Sequence, residues 1–295
     1  MNGFDFPKIE LEGIWIEILM RGLTDPATYI PEIIGFIIVL AFILRSISSE
    51  EPHKHLTDEV VGLFEDFSEH YSHRYDLKNT AIIKFIRKHG KDNQNVLEVG
   101  GNNGSVLDNI FKYTPIKRGY NLELTTIFSK YQVNKDIIFI NGSALNLPFK
   151  DNTFDFVVIR HLLHHLVGRS RSASKENAHR AVDELIRVTK SGGYVIIEEE
   201  YNKYNIFGTL TFYILLAMSR IKMSSEYFSI HKNLIVSFLT IKEIKSLLGR
   251  ENIKIVEEGI TKWNPSRKFK ITILMSKLGS VFWAGLKGGD EKLIR

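Results

Sequence analysis

Residues 95–104 read NVLEVGGNNG, a short apolar β run that passes directly into a glycine-rich turn. The following SVLDNIFKY (105–113) has apolar residues at helical spacing, so this stretch predicts a strand, a turn and a helix. Gly100 and Gly104 allow the backbone to turn tightly and to approach a ligand at a helix N-terminus, where N–H groups are free. Asn102 stands between them, and Asn tolerates a positive φ better than most residues. The stretch therefore predicts a ligand-binding loop.

A glycine loop alone does not identify the ligand, because several nucleotide-binding folds use one. The segments that follow narrow the choice. RGYNLE (118–123) predicts a second strand, IIFINGSALNLPF (137–149) a third strand and its loop, NTFDFVVIRHLLHHL (152–166) a fourth strand and a helix after it, and KSGGYVIIEEE (190–200) a turn into a fifth strand. In this order the motifs over residues 95–200 resemble those of class I S-adenosylmethionine-dependent methyltransferases.

The resemblance implies an α/β fold with a Rossmann-like, seven-stranded, mostly parallel sheet, helices on both faces and an antiparallel C-terminal edge pair. It implies S-adenosylmethionine as the cofactor and predicts no metal. A further helix is expected from about Ala173 to Thr189. The donor-binding residues expected from the resemblance lie in the loop and at strand ends: Glu98, Gly100, Asn102, Gly104, Asn121, Glu123, Ser143, Ala144 and Arg160.

Two of these positions depart from the family's pattern. Glu98 matches the acid that helps to hold the methionine end of the donor. Asn121 falls where the family has an acid for the ribose, with Glu123 as a substitute after a slight change of register, and Ser143 replaces a common Asp. Each lost charge-assisted hydrogen bond costs about 1–2 kcal/mol, which weakens donor affinity without abolishing it.

Candidate catalytic groups follow the fourth and fifth strands. His161, His164 and His165 lie close together, and a structural role, a role as base or substrate contact, and a metal-ligand role are all open. His161, directly after the fourth strand, is best placed to face the methyl group, because ligands bind at the carboxyl ends of such strands. We take His161, His165 and Glu198 as candidate catalytic residues, since an imidazole can remove a proton from an attacking oxygen or nitrogen.

Three other classes of function compare differently with this sequence. A nicotinamide oxidoreductase needs glycines at 102 and 105, where the chain has Asn102 and Ser105. A membrane-tethered scaffold that has lost turnover is kept open by the neutral residues Asn102, Asn121 and Ser143. A nucleic-acid acceptor is not expected, because no Asn-Pro-Pro-Tyr-type motif follows the fourth strand.

Composition sets broad limits. The chain has 295 residues and no cysteine, which excludes disulfides, thiolate nucleophiles and cysteine-based zinc sites. The formal net charge of +5 is mildly basic, and a solvated lysine surface explains it more simply than a nucleic-acid or anionic-lipid partner. An ordinary apolar fraction predicts a packed core.

The first 55 residues differ from the rest. Residues 33–44 read IIGFIIVLAFIL, an all-round apolar run that belongs in lipid or in a protein interior. Residues 14–21 before it are typical of a short amphipathic helix. We predict membrane contact through 29–47 and a location at the cytoplasmic face of a membrane, with a buried helix or an oligomer contact in a soluble cytoplasmic protein as the alternative. The methyltransferase domain is expected over 56–295.

The C-terminal part is expected to select the acceptor. Residues 206–218 (IFGTLTFYILLAM) form a second apolar stretch within a lid-like insertion at 201–239. A helix is expected over 240–249, and the last strands over 250–290. The apolar stretch predicts either a core helix or a segment that lines the acceptor site or dips into a membrane. Together with the N-terminal run it favours a small, apolar or lipid-like acceptor, such as a quinone-like ring or a lipid headgroup.

Overall fold

A computed structural model of the chain describes residues 61–66, 68–71, 73–220, 222, 234–262 and 278–288. The segment 1–55 and its predicted membrane contact at 29–47 lie outside the described residues. Among the residues that are described, no helix has both the length and the apolar character needed to cross a bilayer.

The sheet has seven strands in the order β3-β2-β1-β4-β5-β7-β6. In chain order they are β1 (Asn95–Val99), β2 (Arg118–Glu123), β3 (Ile138–Asn141), β4 (Phe154–Arg160), β5 (Thr189–Asn202), β6 (Ile253–Lys262) and β7 (Leu278–Lys287). Strands β1 to β5 pair in parallel, whereas β7 is antiparallel to both β5 and β6. The predicted Rossmann-like sheet with an antiparallel C-terminal pair is confirmed.

Helices flank the strands. They are α1 (Ala81–His89), α2 (Ser105–Tyr113), α3 (Arg171–Val188), α4 (Asn205–Arg220) and α5 (Ile241–Leu247), and residues 61–66 and Ser68–Tyr71 are also helical. Side-chain caps fix three of the starting points, because a capping oxygen satisfies an N–H group that has no partner within the helix. Thr80, Ser170 and Thr240 supply these oxygens to α1, α3 and α5. The helix predicted from about 173 to 189 is confirmed as α3.

Apolar side chains cover both faces of the sheet. On one face Ile83 and Phe85 of α1 and Leu107 of α2 pack against alternate residues of the central strands. On the other face α3 and α5 contribute Leu185 and Ile244. Side chains of this size, fully removed from water, each stabilise the fold by about 1.5–3 kcal/mol. The central strands are thereby held between two layers of helices, which fixes the positions of their carboxyl ends.

The prediction of a helix directly after β4 is wrong. His161 has a positive φ of 50°, which takes the chain out of the right-handed helical region, and only a 3-10 turn over Leu163–His165 follows. The backbone N–H of Leu163 donates to Glu199 Oε2 at 2.6 Å, so the turn is held across the end of β5. The three histidines are consequently arranged by the sheet rather than by helical spacing.

The strand order reverses between β1 and β4. From β1 the chain continues to β2 and β3 on one side, and β4 leads to β5 on the other. Loops that leave the carboxyl ends of two such strands diverge, which opens a crevice between them. The glycine-rich turn after β1 and the histidines after β4 therefore meet at one cleft.

Candidate active site

Residues 100–104, here called the glycine loop, turn sharply between β1 and α2. Gly100, Asn102 and Gly104 all have positive φ, at 73°, 50° and 76°. The prediction that Asn102 replaces a glycine in this conformation is confirmed. A Cβ on Gly101 would lie 2.4 Å from Asn121 Oδ1 and 2.5 Å from Glu98 Cδ, so the loop backbone rests directly on these two side chains. Sequence reasoning missed Gly101, although its place inside the glycine run was the available signal.

Glu98 lies beneath the glycine loop. It pairs in register with Asn121 of the neighbouring strand and is 2% exposed. Its Oε2 is buried and has no hydrogen-bond partner among the described residues. Burial raises the pKa of Glu98 to about 8, and the positive charge of Arg160 opposes the rise only in part. A backbone hydrogen bond from Leu107 also favours the carboxylate. The buried Oε2 without a partner is nevertheless costly, and an ammonium group from a ligand would relieve that cost.

Glu123 ends β2 and faces the same cleft. Its Oε1 accepts from the backbone N–H of Asn102 at 2.7 Å, and its Oε2 accepts from the N–H of Leu124 at 3.1 Å. Burial raises the pKa of Glu123 to about 7, against these two hydrogen bonds. Asn121 is fully buried instead, and its Nδ2 donates to the carbonyl of Asn102 at 2.9 Å. Asn121 thus braces the loop, whereas Glu123 reaches the ligand side.

One cleft of about 730 Å³ brings most of the expected donor-binding residues together. Its lining includes Glu98, Gly100, Asn102, Glu123, Ser143, Ala144 and Arg160. Gly104 and Asn121 are buried behind the loop, where a Cβ on Gly104 would lie 3.7 Å from Asn121 Nδ2. The motifs identified in the sequence over residues 95–200 therefore lie together at the carboxyl end of the sheet.

His161 follows directly after β4 and lies between two carboxylates. Its Nε2 lies 3.5 Å from Glu198 Oε1, and its Nδ1 lies 3.9 Å from Glu200 Oε1. Arg160 Nε also donates to Glu198 Oε1, at 2.8 Å. Burial acts to raise the pKa of Glu198, but the hydrogen bond from His161 and the charge of Arg160 outweigh it, so the pKa is lowered. Glu198 is thus an ionised partner of His161, and Glu200, which sequence reasoning did not select, lines the cleft.

His164 and His165 differ in their surroundings. His164 Nδ1 lies 2.6 Å from Glu199 Oε1 inside the protein, and although burial opposes it, the Glu199 charge raises the pKa of His164. Burial, together with the neighbouring His164 and His161, lowers the pKa of His165 well below its ordinary value. The His165 ring meets Phe64 edge-on at 5.0 Å, and its buried Nδ1 has no hydrogen-bond partner in the described part of the chain. His164 is a structural ion-pair member, and His165 is a neutral imidazole in the cleft lining.

The part of the cleft beyond the histidines is apolar. Phe64, Leu166 and Val167 line it, together with three residues of an extended segment after α4: Leu234, Val236 and Phe238. Sequence reasoning placed 201–239 in a lid-like insertion but did not select these three residues. Alternation in LIVSFL (234–239) was a weak signal, because apolar residues occupy both faces. The cleft thus has a polar half at the glycine loop and an apolar half at this segment.

Residues 97–197 match the family described as "Methyltransferase domain". With the strand order and the cleft, this match identifies the chain as carrying a class I S-adenosylmethionine-dependent methyltransferase domain. The family and the fold imply S-adenosylmethionine as the cofactor. The nicotinamide alternative is not supported, because the matching family is a methyltransferase domain and Asn102 and Ser105 stand where its fingerprint needs glycines.

Curated relatives are methyltransferases. A demethylmenaquinone methyltransferase of Renibacterium salmoninarum is 27% identical over 177 residues, which are 57% of this chain and 71% of that protein. One of Paenarthrobacter aurescens is 42% identical over 64 residues, 22% of each protein. An uncharacterized methyltransferase of Schizosaccharomyces pombe is 30% identical over 135 residues, 41% of this chain and 44% of that protein. The chain spans less than half the length of the last two relatives.

Solved structures show the same fold. A SAM-dependent methyltransferase from Methanosarcina mazei aligns with a TM-score of 0.50 at 17% identity, over 70% of this chain and 98% of that chain. The YcgJ protein of Bacillus subtilis aligns with a TM-score of 0.51 at 15% identity, again over 70% of this chain and 98% of that chain. At these identities the likeness concerns the fold alone.

Proposed function

We propose that this protein transfers a methyl group from S-adenosylmethionine to a small apolar acceptor of the quinol type. The observation that carries the proposal is the Glu98 carboxyl, which is buried under the glycine loop with Oε2 unpaired among the described residues. An ammonium group is the natural partner for such a carboxyl. The donor's amino acid tail carries an ammonium, and an apolar compartment adjoins the loop for the second substrate.

The described residues fit the methyl donor. Glu98 suits the ammonium, and the turn at Gly100 lets the backbone approach, since a Cβ there would lie 2.7 Å from Leu162 Cδ2. Glu123 suits a ribose, because a carboxylate that accepts two backbone hydrogen bonds retains lone pairs for hydroxyl groups. Ser143 and Ala144 line the cleft beyond it, where the resemblance places the adenine.

When bound, S-adenosylmethionine supplies a methyl group on a positively charged sulfur, which a nucleophile displaces directly. The chain has to align the acceptor, exclude water and remove a proton. We assign proton removal to the imidazole of His161, which lines the cleft and is partly exposed. The hydroxyl proton of the acceptor passes to this imidazole as the acceptor becomes nucleophilic, and Glu198 and Glu200 stabilise the imidazolium. Glu198 is thereby a positioning residue.

The apolar half of the cleft supports a ring-shaped, lipid-like acceptor. Phe64, Leu166 and Val167 offer contacts without charge, and the imidazole of His165 is a polar group among them. A quinol has two oxygens on an apolar ring, one for His161 and one for His165. Two of the curated relatives are named for action on demethylmenaquinone, an acceptor of this kind. The neutral state of His165 suits a hydrogen bond inside an apolar pocket.

A lipid-like acceptor resides in a bilayer, so we also propose that the protein works at the cytoplasmic face of a membrane and reaches it through residues 29–47. The support is the apolar sequence of 33–44. Sedimentation with vesicles of mixed neutral and anionic phospholipid tests this. The full chain is expected to pellet and a chain lacking residues 1–48 to remain in the supernatant; equal pelleting of both contradicts the role given to this segment.

Two measurements test the proposed function in order. Calorimetry with S-adenosylmethionine and with its demethylated product is expected to show binding of both. Incubation with radiolabelled donor and a short-tailed demethylnaphthoquinol, followed by chromatography, is expected to give a labelled quinone. Absence of donor binding at millimolar concentration contradicts the proposal and favours the scaffold alternative. A lipid extract is incubated with the radiolabelled donor in the same way. If the protein binds the donor but labels only a lipid fraction other than the quinones, the quinol acceptor is contradicted.

A further inference from the structure

Residues 234–239, here called the strap, cross the cleft as an extended segment between α4 and α5. Alternate residues have opposite surroundings, as expected for extended backbone. Leu234, Val236 and Phe238 line the cleft. Ile235, Ser237 and Leu239 are 0%, 2% and 3% exposed. The strap therefore has one face toward the ligand site and one face inside the protein.

The inward face is fixed by packing and by hydrogen bonds. Ile235 packs in a cluster with Val167 and Phe212. The backbone N–H of Asn202, at the end of β5, donates to the Leu239 carbonyl at 3.0 Å. This hydrogen bond joins the strap to β5. Both ends of the strap are consequently tied to the fold.

A buried arginine anchors the middle of the strap. Arg171, at the start of α3, is 5% exposed; its Nη1 donates to Ser237 Oγ at 2.5 Å, and its Nη2 donates to the carbonyl of Phe238. The N–H of Ser237 donates to the carbonyl of His164 at 2.8 Å, and the rings of His164 and Phe238 stack at 5.0 Å. Helix α4 approaches from the other side, since a Cβ on Gly208 would lie 3.0 Å from the Phe238 carbonyl. The anchor thus links the strap to the histidine turn beside the reacting groups.

Building on the proposed function, we propose that the strap is the specificity-determining wall of the acceptor site and that Val236, at its centre, sets how large a ring the site accepts. A wall held by Ser237 and Arg171 cannot recede when a larger side chain is placed on its ligand face, because packed interiors have few voids. Bulk at Val236 must therefore enter the cleft. The polar half at the glycine loop is formed by other segments, so donor binding is independent of this position.

The test compares Val236→Trp and Val236→Ala with the wild type, and uses Val256→Trp as a matched control. Val256 lies on β6 and is 42% exposed, so added bulk there points to solvent. The first readout is equilibrium dialysis of a short-tailed naphthoquinone in its oxidised form, in the presence of the demethylated donor product. Val236→Trp is expected to weaken quinone binding at least about tenfold, whereas Val256→Trp leaves it unchanged, because single-group changes in apolar pockets have effects of this order.

The second readout is the ratio of kcat/KM for a two-ring naphthoquinol to that for a one-ring benzoquinol with the same tail. Val236→Trp is expected to lower this ratio about tenfold, and Val236→Ala to keep or raise it. An unchanged ratio and unchanged quinone binding in Val236→Trp overturn the proposal. Failure of the wild type to bind the quinone, with donor binding intact, also overturns it. Failure to bind the donor contradicts the proposed function instead, which calorimetry on the same samples reports.

Discussion

The two halves of the cleft are built in different ways. The donor half comes mainly from the glycine loop and the ends of β1 and β2, which are close in sequence, with further residues after β3 and at the end of β4, and it holds two buried carboxyls, Glu98 and Glu123. The acceptor half is assembled from Phe64, the histidine turn and the strap, which are distant in sequence, and it is mainly apolar. Under the proposed function, chain geometry near the glycine loop therefore contributes most to donor binding, whereas tertiary packing forms the acceptor site. Changes in one half should leave the other intact.

The largest expected effect separates turnover from donor binding. His161→Asn keeps a residue that tolerates the positive φ of 50° but removes the base. We expect kcat for the quinol to fall at least about a hundredfold, because general base catalysis contributes 10²–10⁴-fold. Donor affinity, followed by calorimetry, is expected to remain within about twofold. His179→Asn, on α3, is the control, and equal loss of turnover in both variants contradicts the role of His161.

At the glycine loop, the main expected effect of a substitution is on donor binding. Gly101→Ala places a Cβ 2.4 Å from Asn121 Oδ1, so the loop must move away from Glu98. Donor affinity is expected to fall about tenfold to a hundredfold, with a loss of about 1–3 kcal/mol in the free energy of unfolding. Gly259→Ala is a matched control, since its Cβ would have its nearest contact at 3.9 Å. Unchanged donor binding in Gly101→Ala would show that the loop does not contact the donor.

The sequence predicts some features of the donor half but not others. The loop, its acid and the Asn102 conformation were predictable, because turn chemistry depends on residues a few positions apart. The outcome at Asn121 was not. Asn121 occupies the position where the family has an acid for the ribose. In the structure its side chain donates to the Asn102 carbonyl instead, and Glu123 lies in the cleft. A shift of two residues along a strand keeps the same face, so the sequence pattern does not distinguish the two positions.

The acceptor half was outside the reach of sequence patterns for a different reason. Val236 and Ser237 are both nearly fully buried, at 5% and 2% exposure, so burial alone does not tell the ligand face from the inner face. The distinction depends on Arg171, which is far away in sequence. The helix expected after β4 was likewise overturned by contacts that cross the sheet, in particular the hydrogen bonds to Glu199.

A smaller effect concerns the pH dependence of stability in the free protein. The pKa of Glu98 is raised from 4.5 to about 8 by burial, so the folded protein keeps this proton where the unfolded chain has lost it. Stability should therefore fall as the pH rises from about 4.5 to about 8. In urea unfolding, Glu98→Gln is expected to reduce this fall by about 1–3 kcal/mol. An identical pH dependence in both proteins contradicts a neutral, buried Glu98.

The smallest expected effect tests the departure from the family's pattern. Ser143 lines the cleft where an acid is common, so Ser143→Asp is expected to tighten donor binding about threefold to tenfold by adding a charge-assisted hydrogen bond. Ser129→Asp, on an exposed turn, controls for the added charge. If donor affinity measured by calorimetry rises equally in both variants, the effect belongs to net charge and not to the site.

The pairing of Glu98 with the donor ammonium is tested most directly by counting protons during binding. Titration of S-adenosylmethionine into the protein at pH 7, in buffers of different ionisation enthalpy, is predicted to show release of about one proton more in the wild type than in Glu98→Gln, because an ammonium beside Glu98 favours its carboxylate. Donor affinity is predicted to drop about tenfold or more in the variant. Equal proton release and equal affinity in the two proteins would contradict the account.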